Sequence, residues 1–150
     1  MPSQTLTTRV PQTGDTVNDL IARQGAVPFR PSLLVSAARS ATTSTATLAW
    51  AGFRYALVFL NVTSVSGTGS LRAQVSYLDP VSGVWMPLAW LGPAITAAGA
   101  YVFALNLHGG VSGATFQGNA AGVPLSSQMR VDIVHGDASS YTYSLGADLA

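Results

Sequence analysis

Two histidines, six aspartates and a scatter of serines are the residues in this chain best suited to proton transfer or nucleophilic attack. A serine nucleophile needs a base beside it and an acid to orient that base. No Gly-x-Ser-x-Gly elbow is present. Gly110-Val-Ser-Gly113 is one residue short and follows no strand that opens into a helix. Asp132 and Asp137 are the nearest thing to a carboxylate pair for glycoside cleavage. Asp132 falls at an outward position of an alternating stretch and Asp137 in a turn. Both are expected to be solvated charges without the apolar burial that raises a carboxyl pKa. His108 and His135 each flank a glycine at a strand end and lack any His-x-x-x-His, Cys or Glu context, so no metal site is expected. Gly67-Thr-Gly69 looks like part of a phosphate-cradling loop, but no helix N-terminus follows it. A hairpin turn accounts for it. The expectation is a protein without a catalytic site, metal or cofactor.

Aromatic residues offer a second kind of chemistry. Trp50, Trp85, Trp90, Tyr77 and Tyr101 together suggest a sugar-stacking face. Trp50 and Tyr77 fall on the inward side of their strands and are expected in the core. Trp85 and Trp90 flank an edge and a loop, which leaves them as the candidate ligand face of a carbohydrate- or host-surface-binding module.

The elements that must position these residues are read from composition and periodicity. The chain has 150 residues, enough for one domain with an additional arm. It is 48% hydrophobic, with a mean hydropathy of +0.35, and only 9% charged. Soluble domains carry about 25% charged residues. Its surface must therefore be covered by Ser, Thr, Gln, Gly and Ala, or buried against other chains. All seven basic residues are Arg and all six acids are Asp. The absence of Lys and Glu removes two good helix formers. A net charge of +1 with no basic stripe gives no support for a nucleic-acid partner. The absence of Cys removes disulfides and thiol catalysis. The N-terminus shows no secretory signal. The longest apolar run, Ala46 to Leu60, is too short for a membrane span, so no membrane partner is expected.

Residues 1–32 read as an N-terminal arm. Pro2, Pro11, Pro28 and Pro31 break any long element. Asp15 to Arg23 can form one short helix, with Val17, Leu20 and Ile21 on a shared face and Gly25 as its stop. A helix this short needs something to pack on. Leu6, Val10, Val17, Leu20 and Ile21 are the arm's candidate docking residues, and Arg9 and Arg23 its candidate ion-pair partners. Residues 33–150 read as a β-domain. Thr43 to Trp50 alternates, Tyr55 to Thr63 is apolar enough for a central strand, and Leu71 to Tyr77 alternates as a half-buried strand. Val84-Trp-Met begins a strand that Pro87 pushes to a sheet edge. Alternation returns at Tyr101–Leu107, at Met129–Ile133 and at Tyr141–Leu145. His108 to Gln128 reads as a long glycine-rich loop. The predicted fold is all-β: a single antiparallel β-sandwich or barrel of about 7–8 strands, preceded by an extended arm carrying one short helix.

The segment Leu60-Asn-Val-Thr-Ser-Val-Ser-Gly-Thr-Gly-Ser-Leu-Arg-Ala-Gln-Val-Ser-Tyr-Leu-Asp-Pro-Val-Ser-Gly-Val-Trp85 resembles small β-domains of tailed-bacteriophage virions. Pro93 to Tyr101 continues the likeness, which covers about residues 55–105. In size and layout the chain is most similar to the capsid decoration (head cement) proteins of long-tailed thermophile phages. That resemblance implies a thermostable homotrimer bound to the major capsid protein on the capsid exterior and made in the host cytoplasm. It also implies N-terminal arms that wrap neighbouring subunits. The glycine-rich loop 108–128 and the arm depart from the generic virion domain, so a tail or neck position is the other place the resemblance allows.

Overall fold

The computed structural model describes residues 29–48, 50, 52–107, 116–120, 123–126 and 128–150. The described residues contain no helix. Among them nine strands are present: β1 (Ser32–Arg39), β2 (Thr43–Ser44), β3 (Ala56–Ser66), β4 (Leu71–Leu78), β5 (Trp85–Trp90), β6 (Gly99–Leu105), β7 (Phe116–Ala120), β8 (Met129–His135) and β9 (Ser140–Leu149). They form a five-stranded sheet in the order β1-β9-β3-β6-β7 and a four-stranded sheet in the order β2-β8-β4-β5.

Alternation dictates how these strands close on one another. A strand sends successive side chains to opposite faces, so apolar residues at every second position make one apolar face. β3 buries Ala56, Val58, Leu60 and Val62, and β9 buries Tyr141, Tyr143, Leu145, Ala147 and Leu149. From the other sheet, β4 buries Leu71, Ala73 and Val75, and β8 buries Met129, Val131 and Ile133. All of them belong to one hydrophobic cluster, so the two sheets are layers over a single core. Each fully buried aliphatic side chain contributes about 1.5–3 kcal/mol. Trp50 is fully buried and Tyr77 packs against the same cluster, both as their positions predict.

Two turns are tied together at one end. The Gly67–Gly69 turn joins β3 to β4, and the Gly136–Ser139 turn joins β8 to β9. Gly69 N donates to Ser139 Oγ at 3.0 Å, and Tyr141 Oη donates to Gly69 O at 2.5 Å. Gly67 has a φ of +115°, a region that glycine adopts at little cost.

Several expectations need correcting. β7 lies inside the stretch read as an unbroken loop, and it pairs parallel to β6. The sandwich is therefore not purely antiparallel. Phe116-Gln-Gly-Asn-Ala120 carries no alternation. Its strand conformation comes from pairing at the sheet edge and from Gly118, which lets it approach Leu91 closely. β1 was not anticipated, because Ser32 to Arg39 mixes small and apolar residues and its register against β9 shifts twice. The Thr43–Trp50 alternation yields only the two residues of β2 and a bridge from Leu48 to Met129. Among the described residues, pairing with the β-domain begins at Phe29, which bridges Leu149. The helix read at Asp15–Arg23 lies outside the described residues.

Candidate functional site

The described residues gather their polar and aromatic chemistry on the outer face of the four-stranded sheet. β4 is flanked by β5 and β8. Its inward positions, Leu71, Ala73 and Val75, go to the core, so Arg72, Gln74 and Ser76 face outward. Register sets what stands beside them. Gln74 is opposite Trp90 on one side and Asp132 on the other, Ser76 is opposite Pro87 and Arg130, and Leu78 is opposite Trp85. The outer face therefore unites Trp85, Trp90, Arg72, Arg130, Asp132, Gln74 and Ser76.

Each tryptophan carries an arginine. The Arg72 guanidinium lies 4.3 Å from the Trp90 ring centroid, and that of Arg130 lies 4.4 Å from the Trp85 centroid. Such stacks contribute about 0.5–1 kcal/mol at exposed sites and more when desolvated. Arg130 Nε also stands 2.8 Å from Asp132 Oδ1. That contact is a charge pair, not an aligned hydrogen bond, since neither atom has a bonded partner of good geometry. Ser76 Oγ donates to Asp132 Oδ2 at 2.5 Å.

Asp132 corrects a sequence expectation. It does occupy an outward register position, but it is only 5% exposed. Arg130, reaching across the face to Trp85, covers it. Its burial calls for partners: Ser76 bonds Oδ2 and Arg130 supplies the opposite charge, while Oδ1 is left without a hydrogen bond. Asp137 is an exposed turn residue as expected. Its carboxylate accepts from Ser139 N at 2.8 Å, and the Ser139 backbone and hydroxyl hold its pKa below the usual value.

Beside this face runs an apolar ridge. Along the β4–β5 hairpin and the free edge of β5, Val81 is 94% exposed, Val84 51%, Met86 50%, Leu88 52% and Trp90 43%. The edge is blunted against strand addition. Pro87 lacks an N–H, and the β4–β5 register shifts between Val75 and Ser76.

Other places are less suited to binding. A shallow groove of about 550 Å³ on the outer face of the five-stranded sheet is lined by Phe59, Asn61, Gly146 and the Arg30–Asp148 pair. Those two charges answer each other at 3.0 Å. Among the described residues, no group of three or more His, Asp, Glu or Cys side chains is close enough to hold a metal ion.

The structure brings Trp85 and Trp90 to one sheet, but Trp85 is half-buried. The arm residues Leu6, Arg9, Val10, Val17, Leu20, Ile21 and Arg23 lie outside the described residues, as does His108. The arginines were missed, although a signal for Arg72 exists. It alternates with Leu71 and Ala73, and a tryptophan sits on the partner strand of the same hairpin. Comparison with family models, curated proteins and solved structures finds no match to this chain.

Proposed function

We propose that the protein is a structural virion subunit that binds the outside of a phage capsid and stabilises it, as a homotrimer whose N-terminal arms reach neighbouring subunits. The observation that carries this reading is the apolar ridge of Val81, Val84, Met86, Leu88 and Trp90 in a chain with so little charge. Five large apolar side chains exposed along one hairpin edge, in a chain with so few charges, suit burial against another chain. Tryptophan and arginine are also the residues that dominate binding at interface centres. The mechanism is burial without chemistry, repeated by symmetry in a closed ring and multiplied by the many copies on a shell.

Light scattering coupled to size exclusion, over a range of concentrations, tests it. The expected result is a trimer that Leu88→Lys converts to monomer, with the folded stability changed by no more than about 0.5 kcal/mol. A monomer at every concentration, unaltered by Leu88→Lys, would remove the ridge as the self-association surface.

A second reading is favoured by the two arginine-backed tryptophans on one sheet face. They suit a carbohydrate- or host-surface-binding module, with the ridge as the rim of the ligand face.

A further inference from the structure

The outer face of the four-stranded sheet holds a cation that no described carboxylate neutralises. Arg130 has Asp132 at 2.8 Å, and the other described ion pair is Arg30 with Asp148. Arg72 pairs with no carboxylate among the described residues. Its Nη2 donates only a long bond, 3.4 Å, to Gly92 O, and its Nε is buried without a partner. A guanidinium has five N–H donors in a planar fork, so Arg72 keeps donors to spare.

Trp90 stands beside it. Arg72 covers one face of the indole, and Trp90 keeps 43% of its surface exposed. An open indole face takes the C–H face of a pyranose ring, and a guanidinium fork takes a carboxylate with two parallel hydrogen bonds. Trp85, half-buried and with Arg130 over its ring, is the second aromatic side chain on this face. Trp90 is opposite Gln74 and Trp85 opposite Leu78, so the platforms are four β4 residues apart, on the order of 13 Å. A short oligosaccharide spans that distance and a monosaccharide does not. Gln74, a polar side chain on the same face, stands beside Trp90.

The charge count selects the ligand class. A single-stranded nucleic acid also stacks on aromatic rings, but it presents a phosphate at every step and is held by a groove of several cations. Here, among the described residues, one unmatched cation stands with two aromatic side chains. We propose that this face binds an acidic oligosaccharide containing uronic acid, with Arg72 holding the carboxylate and Trp90 and Trp85 stacking two of its rings. The proposal rests on the second reading above.

Calorimetric titration of the full chain tests it, with hexagalacturonate, neutral cellohexaose and a thymidine oligonucleotide as probes. Hexagalacturonate is expected to bind at least ten-fold tighter than cellohexaose, with affinity falling as salt rises. Arg72→Gln should abolish that preference, Arg72→Lys should keep part of it, and Trp90→Ala should weaken both sugars. Thermal melting confirms that each variant folds. Equal affinity for the two sugars, or a preference that survives Arg72→Gln, overturns the acidic class and leaves the second reading standing. No binding of either sugar overturns both. Tighter binding of the oligonucleotide than of hexagalacturonate overturns the proposal in favour of nucleic acid.

Discussion

His135 ends β8 where the two sheets meet the turn latch, packed edge-on against Tyr141 and at a tilt against Tyr143. Its Nε2 lies 3.4 Å from Tyr143 Oη, and the Arg39 guanidinium lies over the ring of the same tyrosine, 4.6 Å from its centroid. Burial lowers its pKa below the ordinary value of 6.5, and the Arg39 charge pushes the same way. The Ser139 backbone and Asp137 pull back only in part. The folded state therefore binds fewer protons than the unfolded state as pH falls. The stability conferred by a neutral His135 is complete above pH 6.5 and is lost as pH drops below it through the depressed folded value. We predict that the urea midpoint declines between pH 6.5 and 5, a range in which carboxylates are still ionised, and that His135→Gln flattens the decline. An unchanged slope in that variant would assign the pH dependence elsewhere. Asp79 and Asp137 have lowered pKa values, set first by side-chain and backbone hydrogen bonds respectively. Their contributions are lost only at more acidic pH, below about 3.8.

At the scale of elements, β7 is held by close approach more than by side-chain burial. A Cβ on Gly118 would stand 2.0 Å from Leu91 O and 3.0 Å from Gly92 Cα, and backbone cannot step aside as a side chain can. Gly118→Ala should therefore lift β7 from β6 and cost roughly 1–3 kcal/mol, the range for overpacking. Amide hydrogen exchange at Phe103 to Leu105 would report it. Unaltered protection there would mean that β7 adjusts without strain. The same element shows where sequence reading stops. β4, β6, β8 and β9 were legible because apolar residues recur at every second position, and β3 because its run is apolar on both faces, as a central strand's is. β5 was legible as an edge because Pro87 has no N–H to give a central ladder. β7 and β1 were not, since pairing decided by register and close approach leaves no periodic trace. The site was half legible. Trp85 and Trp90 were visible as aromatics near an edge. The arginines that stack on them, and the burial of Asp132, depend on which strands are neighbours, and strand order is not written in alternation.

At the scale of the whole molecule, the boundary of the β-domain has practical consequences. Phe29 exchanges hydrogen bonds with Leu149, and Ala147 N donates to Pro31 O, so residues 29–32 are stitched to β9. We predict that a chain of residues 29–150 melts within a few degrees of the full chain, since it keeps every described contact, but loses trimer formation if the arm supplies it. Calorimetry and light scattering read the two effects separately. A truncated chain that remains trimeric would transfer the assembly role to the β5 ridge alone.

The position of β9 carries a further consequence. The last strand in sequence is an interior strand of the larger sheet, laid between β1 and β3. On the ribosome, β1 and β3 wait with nothing between them until residues 140–149 clear the exit tunnel. A nascent chain that stalls before Ser140 would expose two unpaired, apolar-faced strand edges. Closure of the larger sheet therefore waits on β9, and chains cut short between Ser140 and Leu149 should fail to close it and be degraded instead of serving as shortened but usable subunits.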